Sequence, residues 1–187
     1  MNQSVHRRWT LMSGLTLLAA ASAASLVMGC ASPTASDYAA EKPVLDLKTY
    51  FNGNLVAHGI FTDRSGKVAR RFTVQMTGTW QGKNGTLDER FTYSDGKIER
   101  RIWRLTDEGN GRWTGRADDV VGVAEGQAAG NALNWRYTLS LPLDGKVYEV
   151  QFDDWMYLMD ERVMLNKAVM SKFGIRLGEV TLSFTKQ

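Results

Sequence analysis

The sequence predicts an all-β protein, a single antiparallel β-barrel of about eight to ten strands over residues 45–187. Runs of alternating apolar and polar residues fill the chain after Asn54, as strands with one buried face require. Glycine-containing turns interrupt these runs at a spacing typical of barrels, at 63–66, 82–85, 95–96, 109–111, 130–131 and 144–145. The roughly 140 residues after Pro43 are the usual length of a single domain.

These turns divide the chain into ten predicted strands. They cover 54–62, 67–78, 86–93, 97–106, 112–119, 120–129, 132–142, 146–158, 162–173 and 175–186. The ninth is the weakest, because 159–173 is rich in helix-forming residues and a helix is the alternative there.

A two-residue loop at 144–145 tests the register of the seventh and eighth strands. It places Leu139 opposite Val150 and Tyr137 opposite Phe152, so that one face is apolar. On the other face Arg136 lies opposite Asp153. A second two-residue loop at 130–131 brings Glu125 to the far side of the same arginine, which suits an outer surface.

The same register places large aromatic residues opposite small ones. Trp135 and Tyr137 face Gly126 and Ala124. This pattern is compatible either with close interdigitation or with the start of a cavity. The candidate cavity-lining residues are Phe91, Tyr93, Trp135, Tyr137 and Phe152.

Charged residues fall on the predicted apolar face. If 95–96 is also a two-residue loop, Glu89, Arg100 and Arg104 point inward. The register at 144–145 turns Asp154 inward opposite Trp135, and Arg70 lies between Val68 and Phe72 on the apolar side of its strand. Buried charges are costly unless they are paired. The arginines are therefore predicted to anchor the polar head of a lipid-like ligand, and a closed ion-pair network is the alternative.

The N-terminal segment has the pattern of a secretory signal. A basic start with Arg7 and Arg8 precedes an apolar run that ends in Leu26-Val27-Met28-Gly29-Cys30. This ending resembles the lipobox of bacterial lipoproteins, which implies lipid attachment at Cys30. The predicted organisation is a signal peptide over 1–29, a lipidated cysteine with a flexible tether over 30–44, and the barrel. The alternatives are an uncleaved transmembrane helix, a twin-arginine signal, and a Cys30 that is a buried thiol or pairs between chains.

Composition excludes several classes of function. The whole chain has a net charge of +3, but residues 1–29 hold two arginines and no acid, which leaves 21 basic and 20 acidic side chains. A nucleic-acid partner is therefore not expected. His58 is the only histidine after the signal segment, so we expect no zinc site, no other metal, no cofactor and no catalytic triad. An acid–base pair of Glu89 and Asp154 is the remaining enzymatic alternative.

The chain resembles a bacterial lipoprotein family of unknown function with a lipocalin-like domain. The most specific segment is Asp153-Asp154-Trp155-Met156-Tyr157-Leu158. The others are 51–53, 63–66, 70–72, 79–82, 101–104, 117–122, 130–135, 171–174 and 178–181. The resemblance implies a lipocalin-like barrel and a palmitate-type anchor on Cys30. With Ala31 after that cysteine, it implies an outer-membrane location facing the periplasm in a Gram-negative host.

These observations predict a membrane-anchored lipoprotein of the cell envelope that binds or carries a small amphiphile. A solid barrel serving as a structural or protein-interaction module is the alternative, and an envelope enzyme is a third. A filled interior around Trp135, Tyr137 and Phe91 would count against the carrier. Protein partners and oligomeric state do not follow from the sequence.

Overall fold

Ten antiparallel strands close into a barrel in which each strand pairs with its neighbours in the chain and the last pairs with the first. The computed structural model describes residues 32–143 and 145–187. The strands are β1 (Gly53–Asp63), β2 (Val68–Gln81), β3 (Asn84–Tyr93), β4 (Ile98–Gly109), β5 (Arg112–Arg116), β6 (Val120–Ala129), β7 (Ala132–Leu143), β8 (Lys146–Leu158), β9 (Val163–Lys172) and β10 (Ile175–Lys186). The predicted all-β barrel is confirmed, and the ninth segment is a strand.

The up-and-down order gives the barrel two different ends. The turns after β2, β4, β6 and β8 lie at one end, together with a 3-10 helix (Ala35–Tyr38) and helix α1 (Leu47–Phe51). We call this the closed end. The turns after β1, β3, β5, β7 and β9 lie at the other end, which no helix among the described residues covers. We call this the open end.

Helix α1 closes its end of the barrel by packing and by hydrogen bonds. The Asp46 side chain caps the helix by accepting from the Thr49 amide at 2.8 Å, and Leu47, Tyr50 and Phe51 are buried. The Lys186 ammonium donates to the carbonyl oxygens of Thr49, Tyr50 and Asn52 at 3.0, 2.8 and 2.5 Å. These contacts satisfy carbonyl groups that the end of a helix leaves unpaired.

The compact unit begins at Thr34, earlier than the boundary at residue 45 that the sequence predicts. Ala35 is buried, and the Tyr38 ring lies 5.7 Å from Trp155 and 5.3 Å from Tyr157. Thr34–Gln187 therefore contains the whole barrel, its core and its cap. The predicted signal segment and Cys30 lie outside the described residues. Within 32–143 and 145–187, no helix is both long and apolar enough to cross a bilayer.

The register is as predicted for two hairpins and differs for a third. Tyr137 pairs with Phe152, and Arg136 pairs with both Asp153 and Glu125. Between β3 and β4, however, the Tyr93 amide donates to the Lys97 carbonyl, which makes the loop three residues long. Because strand side chains alternate, this one-residue shift turns every side chain of β4 to the opposite face.

Candidate ligand-binding site

The middle of the barrel is filled by aromatic side chains. A methyl group added at Gly115 or Gly126 would lie 2.6 Å or 2.3 Å from the Trp135 ring, so that ring occupies the space above both glycines. Trp135 is buried and packs edge-on against Trp103 at 5.6 Å. Of the two alternatives for this region, close interdigitation is therefore the one observed.

Toward the open end the inward-facing rings are only half-buried. Phe91, Tyr93 and Tyr137 are partly exposed, and Phe72 lies 6.0 Å from Phe91 and 5.6 Å from Tyr93. The buried Phe152 stacks on Tyr137 at 5.0 Å with nearly parallel planes. We call this set the open-end cup; its other inward apolar members are Leu141, Tyr148, Met170, Leu177 and Val180.

Two carboxylates form a polar floor beneath the cup. Glu89 and Asp154 are each only 8 % exposed, as inward placement from the sequence requires. The Asn166 amide nitrogen donates to the Asp154 carboxylate and, at 3.1 Å, to the Trp155 carbonyl. Among the described residues, the buried Asn166 amide oxygen has no hydrogen-bond donor. The floor therefore offers one hydrogen-bond acceptor that these residues do not satisfy, beside two buried carboxyl groups.

Burial controls the protonation of this floor. Desolvation raises the pKa of Glu89 to about 7, although the nearby Arg101 opposes the shift. Desolvation likewise raises the pKa of Asp154 to about 7, against the hydrogen bond from Asn166. Burial also raises the pKa of Tyr137, so its phenol keeps its proton. Near neutral pH the two carboxyl groups are therefore divided between neutral and charged forms.

The inward arginine of β4 is Arg101, a residue that the sequence did not select. Its guanidinium contacts the Asp119 carboxylate, with Nε and an Nη nitrogen donating at 2.9 and 2.7 Å. It also lies 5.6 Å from the centre of the Phe91 ring. Trp103 and Leu105 are buried and lie on the same face of β4 as Arg101, because side chains two residues apart point the same way. These two large apolar residues are the sequence signal that identifies the inner face of β4.

The prediction that Arg100 and Arg104 point inward is wrong. Arg100 forms a two-pronged contact with Asp88 on the outer surface, at 2.8 and 2.6 Å, and Arg104 lies 3.2 Å from Asp118. Both are turned outward by the three-residue loop before β4. They therefore cannot line the cup.

Arg70 lies at the rim of the open end, on the same face as Phe72. It bonds to Asp95 at 2.5 Å, and its guanidinium stacks 4.0 Å above the Tyr93 ring. The rim arginine therefore has both a carboxylate and an aromatic partner. The floor below it carries the two buried carboxylates, Glu89 and Asp154, and the guanidinium of Arg101 is paired with the partly exposed Asp119.

Two grooves lie on the outer wall of the barrel. One, of about 540 Å³, is lined by residues of β1, β2, β3, β9 and β10, and its lining includes the outward His58 and Thr73 together with Phe72 and Tyr93 of the cup strands. The other, of about 510 Å³, crosses β5, β6 and β7 beside Glu125 and Arg136. Within the part of the chain that the structure describes, no three His, Cys, Asp or Glu residues are grouped as metal ligands.

A closed antiparallel barrel with one capped end and an apolar cup at the other has the architecture of lipocalin-like proteins. The chain belongs to the DUF3833 family, described as a protein of unknown function, whose model matches residues 24–186. No curated protein matches the sequence.

One structural comparison, with a TM-score above 0.5, supports the barrel fold. The S-type phycobiliprotein lyase CPES from Guillardia theta superposes with a TM-score of 0.57 at 6% identity, over 76% of this chain and 93% of that one. A DUF3598 protein of unknown function from Nostoc punctiforme PCC 73102 gives 0.49 at 10% identity, over 84% and 53%. A de novo designed fluorescence-activating β-barrel gives 0.38 at 14% identity, over 76% and 99%.

Proposed function

We propose that this protein is a lipid-anchored binding protein of the bacterial cell envelope that holds a small amphiphile in its open-end cup. The observation that carries the proposal is the polar floor: the Glu89 and Asp154 carboxyl groups are nine-tenths buried beneath half-buried aromatic rings, and the Asn166 amide oxygen beside Asp154 has no hydrogen-bond partner among the described residues. Buried polar groups are normally satisfied, so the free oxygen in this floor indicates a missing donor.

The apolar part of the ligand would contact the rings above the floor. Phe72, Phe91 and Tyr93 are inward-facing yet partly exposed, although burial of such rings is favourable. Because Trp135 fills the middle of the barrel, the ligand is confined to the upper part of the interior. This excludes a long tail that threads the barrel.

The floor selects a hydrogen-bond donor as the polar group of the ligand. The floor contains two buried carboxyl groups, Glu89 and Asp154, and the nearby guanidinium of Arg101 already contacts Asp119. With Arg100 and Arg104 on the outer surface, the inward-face arginines among the described residues are Arg70 and Arg101, and each is already paired with a carboxylate, Asp95 and Asp119. An ammonium or hydroxyl group therefore suits the floor better than an anion.

The likeness to the phycobiliprotein lyase concerns the fold, since only 6% of aligned residues are identical. The catalytic alternative, with Glu89 and Asp154 as an acid–base pair, has the same two residues but no assembled nucleophile beside them among the described residues. We therefore propose binding without catalysis.

Calorimetry with three ten-carbon probes tests the binding site. We expect decylamine to bind to Thr34–Gln187 at least about tenfold more tightly than decanoate, with decanol between them. Glu89→Gln should weaken decylamine binding about tenfold. Asp88→Asn, at the adjacent outward position of the same strand, is the matched control and should leave binding unchanged. Tighter binding of decanoate than of decylamine would contradict the proposed selectivity.

The solid-barrel module is the second candidate function, and the packing of Trp135 against Gly115 and Gly126 favours it. If none of the three probes binds at concentrations below their aggregation, the module is the better account and the binding protein is refuted.

The lipid anchor is proposed from Cys30 and its lipobox-like context, and Ala31 after that cysteine supports a proposed location at the outer membrane, facing the periplasm. One acyl chain holds a protein only marginally, and stable anchoring needs more than one. Cys30→Ser should abolish metabolic labelling with a palmitate analogue and release the protein from membranes of its host. Persistent membrane attachment of that variant would contradict the lipid anchor.

A further inference from the structure

Large apolar side chains are exposed at the tips of two neighbouring hairpins of the open end. Phe173 is 88% exposed, Val147 66%, Ile175 54% and Leu143 53%. The first hairpin joins β9 to β10 and the second joins β7 to β8, and the two are adjacent because β8 pairs with β9. We call these four residues, together with Lys146, Lys172 and Arg176, the apolar tips.

Phe173 occupies a backbone position that disfavours it. Lys172 pairs with Ile175, so Phe173 and Gly174 form a two-residue loop in which both have positive φ, +52° and +76°. Tight hairpins of this kind prefer Asn-Gly, because a bulky residue at positive φ is strained. Fold stability therefore gives no reason for phenylalanine here.

The chain contains the favoured version of the same loop at the closed end. Gly109 pairs with Arg112, and Asn110 and Gly111 have φ of +54° and +72°. Two loops of the same length and backbone thus carry Asn at one end and Phe at the other. Phe173 is both strained and exposed, although the chain uses the favoured Asn in the equivalent loop at the closed end. This choice indicates that Phe173 serves a purpose other than stability of the fold.

Cations accompany the exposed apolar groups. The Lys172 ammonium lies 5.3 Å from the Phe173 ring and 5.0 Å from the Tyr148 ring. Arg176 extends from the next strand and contacts Glu179 at 3.0 Å. The segment 172–176 contains two cations, two large apolar residues and no acid. Aromatic and apolar groups next to Lys and Arg are the composition that enters the headgroup region of a bilayer.

We propose that the apolar tips are a contact surface for a lipid bilayer that contains anionic headgroups. Phe173 and Ile175 enter the interface, Leu143 and Val147 contact it from the neighbouring hairpin, and Lys172 and Arg176 meet the phosphates. Four side chains on two narrow tips are too small an area for a stable protein–protein interface, which needs about 1,000 Å² or more. This contact requires neither a ligand in the cup nor a lipid on Cys30.

Vesicle sedimentation with Thr34–Gln187 tests the proposal. On vesicles of equal parts phosphatidylethanolamine and phosphatidylglycerol we expect measurable binding, about tenfold weaker for Phe173→Asn. Thermal unfolding of the same variant should occur at a higher temperature than that of the wild type, because Asn relieves the positive-φ strain. Higher stability together with weaker binding separates a surface role from damage to the fold.

Two control variants locate the effect at the open end. Met159→Asn removes an apolar side chain of 53% exposure from the closed end and should leave vesicle binding unchanged. Asn110→Phe creates the strained loop at the closed end and should lower stability without increasing binding. The proposal is overturned if Phe173→Asn binds vesicles as well as the wild type, if the wild type does not bind, or if Phe173 instead mediates concentration-dependent dimerisation.

Discussion

The two ends of the barrel are built from the same turns and strands but are finished in opposite ways. At the closed end, α1 buries Leu47, Tyr50 and Phe51, and Lys186 satisfies the last carbonyl groups of the helix. At the open end, inward rings such as Phe91 and Tyr93 remain half-buried, and no helix among the described residues covers them. The closed end thus buries its apolar groups, whereas the open end leaves apolar rings accessible, and we place the function at the open end.

The largest difference between the ends is expected at glycines. A methyl group at Gly78 would lie 1.6 Å from the Phe51 carbonyl oxygen, beneath the cap. We expect Gly78→Ala to lower the free energy of unfolding by about 3 kcal/mol or more, because backbone must move. At the open end a methyl group at Gly66 meets nothing within 4 Å, although φ is +85°. Gly66→Ala should lower the free energy of unfolding by only about 1 kcal/mol.

Urea unfolding of both variants measures these two losses in the free energy of unfolding. Equal losses for Gly78→Ala and Gly66→Ala would show that the cap is not tightly packed.

Arg100 and Arg101, adjacent in β4, point to opposite faces of the barrel, so their removal should affect stability differently. Arg101→Ala removes the partner of Asp119 and leaves the Glu89 carboxyl without its nearest cation, so we expect a loss of about 2 kcal/mol in the free energy of unfolding. Arg100 is exposed and paired with Asp88 on the surface, so Arg100→Ala should change stability little. Denaturant unfolding near pH 7 checks both. The reverse order would mean that Arg100 is the inward residue after all.

Glu89 should make stability depend on pH. Its pKa is about 7 in the folded protein against 4.5 as the ordinary value, so the folded state keeps a proton that the unfolded state loses. The contribution is complete below about pH 4.5 and is lost as pH rises through about 7. Glu89→Gln should therefore be neutral at pH 4 and stabilise the protein at pH 8 by about 1–3 kcal/mol.

Asp88→Asn is again the matched control for Glu89→Gln, since the pKa of Asp88 is lowered by its hydrogen bond with Arg100. Its stability relative to the wild type should not rise between pH 4 and pH 8. A Glu89→Gln variant without any gain at pH 8 would show that this carboxyl is not held in a desolvated floor.

The smallest effect concerns the affinity for decylamine. Glu89 and Asp154 ionise near pH 7, and an ammonium group is attracted only to their charged forms. Decylamine should therefore bind a few-fold more tightly at pH 8 than at pH 6, whereas decanol should not gain affinity. Calorimetry at the two pH values measures the ratio. Equal gains for the amine and the alcohol would point to a general change of the cup instead of its floor.

The sequence predicted the barrel well because its turns carry distinct local chemistry. It predicted the β7–β8 register correctly, since Leu143 pairs with Lys146 across a two-residue loop. It failed at β3–β4, although the same Asp-Gly-Lys follows Ser94, because the loop there begins one residue earlier. Near that turn, both faces of β4 carry a mixture of apolar and charged residues. Only Trp103 and Leu105, further along the strand, show which face is the inner one.

The sequence predicted the candidate site only in part, because the face of each residue depends on the register of its strand. Glu89 and Asp154 lie on strands whose inner faces are clearly apolar, and both were placed inward correctly. Arg101 was missed because its face depended on the length of one loop. The half-buried state of Phe91, Tyr93 and Tyr137 could not be predicted, because it depends on the absence of a described helix over one end of the barrel.

The most direct test of the central claim is nuclear magnetic resonance mapping of bound decylamine on Thr34–Gln187. The account predicts chemical-shift changes and contacts to the ligand at Phe91, Tyr93, Tyr137 and Glu89, with none at His58 or Thr73 on the outer wall. Contacts confined to the outer groove, or an amine that leaves the cup resonances unchanged, would contradict a ligand site in the open end.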